Sequence, residues 1–332
     1  MFSKSKLLSL KPSSHRARRP SPLSSKRRAM FYQTLEDRVV LSAGSLDPTF
    51  GIGGKVLTDF VGSGADRGQD VAIQTDGKYV VAGTTSDSVG TDFALARYNV
   101  DGSLDATFGD EGQVATDINR DDGARALALQ TDGKIVVVGA TRLNANVFAV
   151  VRYNTDGSLD TSFGEDGIVT TDFPGSDIAN DVAIQPNGKI VVVGKALDGF
   201  AVARYDIDGS LDSSFDGDGK VVISDFDGDG SSDSFTAFGL ALQAQGKIVV
   251  VGSGFAMARL NGDGSLDTSF DEDGKVAGGA GLDAANAVSL QADGKIVAAG
   301  ISYAGSLSSF MVARYNTDGS LDTSFGEDGI VT

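Results

Sequence analysis

The densest group of cation-binding side chains lies in DFDGDGSSDSFT, residues 225–236. Asp225, Asp227 and Asp229 alternate, Gly230 permits a sharp turn, and Asp233 stands at the ninth position. Hard oxygen ligands at alternate positions can wrap one divalent cation, so these four aspartates are the candidate ligands, and calcium is the one cofactor the sequence suggests. The twelfth position holds Thr236, where a bidentate Glu would complete such a loop. The expectation is a weak site of extracellular type, set against a solvated acidic loop built on Asp-Gly turns.

Other chemistries are narrowed by what the chain lacks. It holds no cysteine, so disulfides and thiolate chemistry are excluded. The single histidine is His15, near the N-terminus, which removes imidazole metal sites and Ser-His pairs from residues 44–332. A carboxylate hydrolase of glycosidase type needs two acids at a fixed separation, one with a raised pKa. Nearly all the acids recur at the same turn positions, and Trp, the usual sugar-stacking residue, is absent. No catalytic residue is assigned, and a non-catalytic reading stands ahead of such a hydrolase.

The formal net charge of −17 conceals an asymmetry. Residues 1–40 carry 10 Lys and Arg against two acids, leaving 18 bases and 43 acids in the remainder, a net of −25. So acidic a body repels phosphate backbones, and nucleic acid is not an expected partner. No apolar run is long enough for a membrane-spanning helix.

The elements that position these residues follow from a repeat. GSLDTSFGEDGIVT occurs at residues 157–170 and again at 319–332, and looser copies begin at Gly44, Gly102, Gly209 and Gly264. One repeat domain therefore spans residues 44–332, as five complete units and a partial sixth. In each unit, short runs of Val, Ile and aromatics alternate between Gly, Asn and Asp punctuation, giving four strands and no helical period. Asp76-Gly77, Asp132-Gly133, Asn187-Gly188, Gln245-Gly246 and Asp293-Gly294 predict two-residue hairpins with φ > 0 at both positions. Four-stranded units joined by tight turns predict an all-β fold, a β-propeller of about five blades; a β-solenoid would use shorter coils and parallel rungs.

Six GSLD loops accompany five sets of the other strands. Gly54–Phe60 closes the ring on the last blade, or Ile330-Val331-Thr332 completes that blade and leaves the N-terminal strand spare, or the array is open. Closure from one terminus is expected, because an open array leaves pairing edges exposed.

Positions constant between copies report what every blade needs. Phe50, Phe108, Phe163, Phe215, Phe270 and Phe325, with the leucines four residues before them, are expected as buried plugs of the connecting loop. The serine of each GSLD, for instance Ser103, is expected to cap a short helical turn. Arg97, Arg152, Arg204, Arg259 and Arg314 lie on apolar strands and need carboxylates, which the GSLD aspartates can supply, as Asp105 for Arg97. The alternative is a ring of arginines gripping an anion. Lys78, Lys134, Lys189, Lys247 and Lys295 follow the hairpin Gly and are expected to be exposed, protecting sheet edges.

The pattern GSLDxxFGxxGxVxTDF…AIQxDGKIVVxG…FAxxRYNxDG, over residues 44–332, resembles the bacterial delta-60 repeat and, more loosely, NHL-type blades. The resemblance implies a β-propeller in a secreted or surface protein and carries no established activity. Residues 1–43 form a basic leader rich in Ser and Pro, expected to be disordered. It lacks the apolar run of a signal peptide, Arg18-Arg19 notwithstanding. Its last part, FYQTLEDRVVLSAG, resembles the LEPR-x-LL motif of surface or exported proteins of planctomycete-type bacteria, with Asp37 where the motif has Pro and Val40-Leu41 for Leu-Leu. That resemblance implies an extracellular or cell-surface location; without it, the stretch is a linker strand.

Two loops vary in every unit, the one after VxTDF and the one after KIVVxG, and both should open on one face. That face includes residues 85–91, 142–146, Asp198 and 302–309, and specificity is expected there, since loops on a rigid scaffold carry binding. The functional expectation is a secreted or surface module that meets a protein or a glycan through these loops.

Overall fold

The computed structural model describes residues 44–60, 64–230, 235–277, 283–304 and 307–332. The leader expected over residues 1–43 lies outside them, as does Asp233 of the proposed calcium loop.

The described residues form five four-stranded antiparallel sheets, each with its strands in chain order. Blade 1 is β1 (Arg67–Ile73), β2 (Tyr79–Ser86), β3 (Thr91–Tyr98) and β4 (Gln113–Thr116). Blade 2 is β5 (Gly123–Leu129), β6 (Ile135–Arg142), β7 (Asn146–Tyr153) and β8 (Ile168–Thr171). Blade 3 is β9 (Ile178–Ile184), β10 (Ile190–Ala196), β11 (Gly199–Tyr205) and β12 (Lys220–Ile223). Blade 4 is β13 (Ala237–Leu242), β14 (Ile248–Gly252), β15 (Met257–Leu260) and β16 (Lys275–Val276). Blade 5 is β17 (Ala284–Leu290), β18 (Ile296–Ala304), β19 (Leu307–Tyr315) and β20 (Ile330–Val331). The protein is an all-β, five-bladed β-propeller.

The second strands of blades 2 to 4 begin with four consecutive buried apolar residues because each of these blades is covered on both faces. In β6, Val136 and Val138 join the core shared with blade 3, while Ile135 and Val137 join the core shared with blade 1. Four such apolar clusters lie between consecutive blades, and among the described residues none joins blade 5 to blade 1. Phe108, Phe163, Phe215 and Phe270 are fully buried in these clusters, as the plug reading requires. Their leucine companions are only half-buried, and Leu46 and Leu321 at the two ends are exposed.

Two local expectations change. The hairpins are not two-residue turns: β1 stops at Ile73 and β2 starts at Tyr79, with the Gly77 N–H bonded to the Gln74 carbonyl and the Gln74 N–H to the Lys78 carbonyl. A type I turn followed by one left-handed glycine does the work, so only Gly77 needs positive φ. Gln245 and Gly246 alone both adopt it. The glycine ending KIVVVG is fixed by a β-bulge on the neighbouring strand: a Cβ on Gly139 would sit 1.9 Å from the Gly123 carbonyl oxygen.

The C-terminal strand completes blade 5, with Val331 opposite Val312 and Ile330 opposite Ala313. Of the two segments competing for that place, Gly54–Phe60 is the spare. This is the C-terminal alternative stated above, with every sheet made of four consecutive strands. Residues 46–60 lie against blade 1, where Phe50 meets Tyr79 edge-on at 5.5 Å and Thr58 hydrogen-bonds the Tyr98 hydroxyl.

Candidate functional site

The constant residues build one tight, structural unit per blade. Arg97 Nε donates to Asp105 Oδ2 at 2.7 Å, Arg152 to Asp160 at 2.6 Å, and Arg204, Arg259 and Arg314 repeat the bond to Asp212, Asp267 and Asp322. Each guanidinium also lies over the plug phenylalanine, 4.4–4.6 Å from the ring centre. The expected Arg–Asp pairs therefore form, and these arginines do not make a ligand ring. Lys78, Lys134, Lys189, Lys247 and Lys295 correct the expectation made for them: each Nζ reaches the same aspartate, as Lys134 does Asp160 at 2.8 Å. The hairpin and the GSLD loop occupy the same end of the blade, and a buried carboxylate there attracts both cations. Burial alone would raise the Asp105 and Asp160 pKa values, but bonds from the lysine and from Thr107 or Ser162, with the arginine charge, hold both carboxyls well below the usual range.

The GSLD serine caps no helical turn. Ser103 donates through both its hydroxyl and its N–H to Asp101 Oδ1, tightening the turn before it, and these two bonds lower the Asp101 pKa.

At the other end of each blade the two variable loops meet, as expected. The Thr91 N–H bonds the Arg120 carbonyl, Asn119 Nδ2 bonds the Arg142 carbonyl, and the Leu197 N–H bonds the Pro174 carbonyl. Two groups of acids gather on this face. Asp225, Asp227 and Asp229 each offer a carboxylate oxygen within 4.8 Å of the others. The loop is shaped by positive φ at Asp225, Gly228 and Gly230, with the Gly230 N–H donating to Asp225 Oδ1 at 3.0 Å. Three of the four candidate ligands thus come together in a geometry with hard oxygen donors fit for calcium.

The second group, Asp92, Asp117 and Asp122, has its oxygens equally close and was not singled out by sequence. Asp122 is buried; its Oδ2 accepts the Ile118 and Asn119 N–H groups, at 2.6 and 2.8 Å, while its Oδ1 has no partner. Burial, then the charges of Asp117, Asp87 and Asp122, raise the Asp92 pKa. Val147, Gly199, Gly254 and Ser309 occupy the position of Asp92 in the other blades, so no blade requires an acid there.

Beside this group, at the meeting of blades 1 to 3, is a recess of about 720 Å³ whose lining includes Arg67, Arg125, Arg142, Gln69, Asn146, Asp121 and Asp122. Among the described residues, of the three arginines only Arg142 pairs with a carboxylate, Asp121 at 3.5 Å and well exposed. The three arginines come from unrelated repeat positions: Gly123, Ile178 and Ala284 stand where Arg67 does, and Gln69, Asn180 and Asn286 where Arg125 does. A search for repeated signals passes over them; a search for unrepeated cations in an acidic body would have found them.

Five segments, residues 74–108, 130–163, 185–215, 243–270 and 291–325, match the family described as "Domain of unknown function (DUF5122) beta-propeller". The chain carries five DUF5122 β-propeller repeats. Each DUF5122 segment runs from the hairpin through the second strand, the variable loop after it and the third strand to the plug phenylalanine, and leaves out the fourth strand, the variable loop that follows it and the first strand. No curated protein matches the chain.

Solved structures with similar folds include a protein of unknown function from Bacteroides caccae, at 12% identity over 80% of this chain and 86% of that one, with a TM-score of 0.47. A catalytically inactive virginiamycin B lyase from Staphylococcus aureus, bound to quinupristin, is similar at 11% identity over 77% and 83%, TM-score 0.43. The calcium-binding protein regucalcin from Agrobacterium tumefaciens is similar at 12% identity over 70% and 67%, TM-score 0.38. Among the described residues, no helix is long and apolar enough to cross a membrane.

Proposed function

We propose that this DUF5122 protein is a non-catalytic binding module of the cell surface or extracellular space that takes a carboxylate-bearing glycan on its variable-loop face. The observation that carries this reading is the convergence of Arg67, Arg125 and Arg142, three unrepeated arginines, on one recess of about 720 Å³. Residues outside the first 40 carry a net charge of −25, so cations gathered at one place counter the general field. Planar guanidinium groups match carboxylates two bonds at a time, and the neighbouring Gln69 and Asn146 can bond hydroxyls. The basic leader, with its resemblance to an export-associated motif, supports the location. The aspartates at 225, 227 and 229 bind calcium and stiffen the variable loop between blades 3 and 4.

One specific observation favours a second reading, a carboxylate-dependent hydrolase: Asp92, with its raised pKa, lines a cavity of about 380 Å³ together with Asp117, their carboxylate oxygens within 4.8 Å of each other. One titration separates these readings. Calorimetry with oligogalacturonate, with and without calcium, is expected to show binding that Arg125→Ala weakens at least tenfold, and a calcium heat that Asp227→Ala removes. Absence of glycan heat refutes the binding reading, and cleavage of the titrant that Asp92→Asn abolishes puts the hydrolase in its place.

A further inference from the structure

We propose that the outer face of blade 5 is an interface for a second copy of this chain, which docks there with its blade 1 and gives up its residue 46–60 cap in exchange. The four internal junctions define what such a face expects. In each, the third-strand phenylalanine (Phe93, Phe148, Phe200 or Phe255) is buried against the next blade, and so is the plug phenylalanine. In each, the arginine Nη1 crosses to a carbonyl of the next blade: Arg97 to Thr155, Arg152 to Ile207, Arg204 to Gly262 and Arg259 to Thr317. The N–H following the plug phenylalanine crosses as well, from Gly109 to the Asp156 carbonyl, Gly164 to Asp208, Asp216 to Asp263 and Asp271 to Asp318, at 2.7–2.8 Å.

Blade 5 presents the same set without a receiver among the described residues. Phe310 is 89% exposed and Phe325 half-exposed. Arg314 keeps its bonds to Asp322 and Ser324 but makes no crossing bond, and the Gly326 N–H likewise has none.

Blade 1 presents the matching receiver. Tyr79, Val81 and Ala96 occupy the positions that in blade 2 are Ile135, Val137 and Val151, all fully buried there. The acceptor corresponding to Thr155, Ile207, Gly262 and Thr317 is the carbonyl of Val100, an exposed residue that accepts no crossing bond.

Residues 46–60 cover only part of this face. They are most of a GSLD loop and the following segment without the three strands that accompany them elsewhere; Gly51 N–H already holds the Asp101 carbonyl, and Thr58 copies the Thr116–Tyr153 and Thr171–Tyr205 bonds. Beneath them an apolar recess of about 360 Å³ is left, lined by Phe50, Leu57, Phe60, Val71, Tyr79 and Val81. A docking blade 5 replaces the Gly51 bond with one from Gly326, adds the Arg314–Val100 bond and buries Phe310, Phe325 and Val312. The exchange therefore conserves one crossing bond, sets the gained Arg314 bond against the lost Thr58–Tyr98 bond, and takes Phe310, Phe325 and Val312 out of water while releasing Phe50 to it, so apolar burial drives it.

Sedimentation velocity on the full chain over a wide concentration series tests this. The expected result is reversible association, tightened about fivefold by Thr58→Val, which removes one net hydrogen bond holding the cap, and abolished by Phe310→Asp, a change at a solvent-facing position that leaves the fold intact. A chain that stays monomeric at every concentration in both wild type and Thr58→Val overturns the proposal, as does association that Phe310→Asp leaves unchanged.

Discussion

Replacing Arg152 by Met keeps the aliphatic stem and removes only the guanidinium, so it isolates the buried ion pair at the junction of blades 2 and 3. The Arg152 side chain is 3% exposed and that of Asp160 7%, and the bond between them is 2.6 Å. The same guanidinium donates to the Ile207 carbonyl at 2.5 Å and covers the Phe163 ring at 4.5 Å. Removing one partner of a buried pair costs about 3–5 kcal/mol, and Lys134, still 2.8 Å from Asp160, tempers that loss. The orphaned carbonyl adds about 1 kcal/mol, so the net expectation is about 3 kcal/mol. Urea denaturation reads it as a fall in midpoint at unchanged m-value. Arg142→Met is the control, since the Arg142–Asp121 pair is 3.5 Å apart with side chains 61% and 49% exposed, and should cost less than about 1 kcal/mol. Equal costs for the two variants would falsify the view that the repeated pairs hold the blades together.

Two further outcomes follow from burial. Asp177 is fully buried, and burial first of all pushes its pKa up to about 6; a raised acid stabilises the folded state below its unfolded pKa and loses that contribution as pH rises through 6. Asp177→Asn, which keeps an acceptor for the Phe173 N–H, should therefore stabilise the protein at pH 7 by on the order of 2 kcal/mol, with the gain gone at pH 4; denaturation curves at the two pH values check it. Phe163 is fully buried and Phe325 half-exposed, so Phe163→Ala should cost about 3–5 kcal/mol and Phe325→Ala well under half of that, a ranking that thermal melts of the two variants test.

The fold was legible because copies of one unit in a single chain reveal their own requirements. The Arg97–Asp105 pair could be read from an arginine on an apolar strand and an aspartate recurring at a fixed offset. The third member, Lys78, could not: hairpin and loop lie 27 residues apart and meet only because the turns bring them to one end of the blade. The crossing bonds from arginine to a neighbouring carbonyl were hidden for a different reason, since a backbone acceptor leaves no mark in side-chain identity. On the variable face the clustering of Asp225, Asp227 and Asp229 was visible as spacing along one loop. Asp92 and Asp117 are brought together by the pairing of β3 with β4 across an intervening loop, and Arg67 meets Arg125 and Arg142 only because blades 1 and 2 stack.

The crossing bonds also bear on how such a chain changes over generations. Each joins residues 55 to 58 positions apart, one unit along the sequence. A genetic crossover between two copies, such as the identical stretches at 157–170 and 319–332, deletes or duplicates whole units while every surviving arginine still finds a carbonyl one unit ahead. Blade number can therefore drift without any junction being redesigned, and the variable loops can be shuffled as intact cassettes.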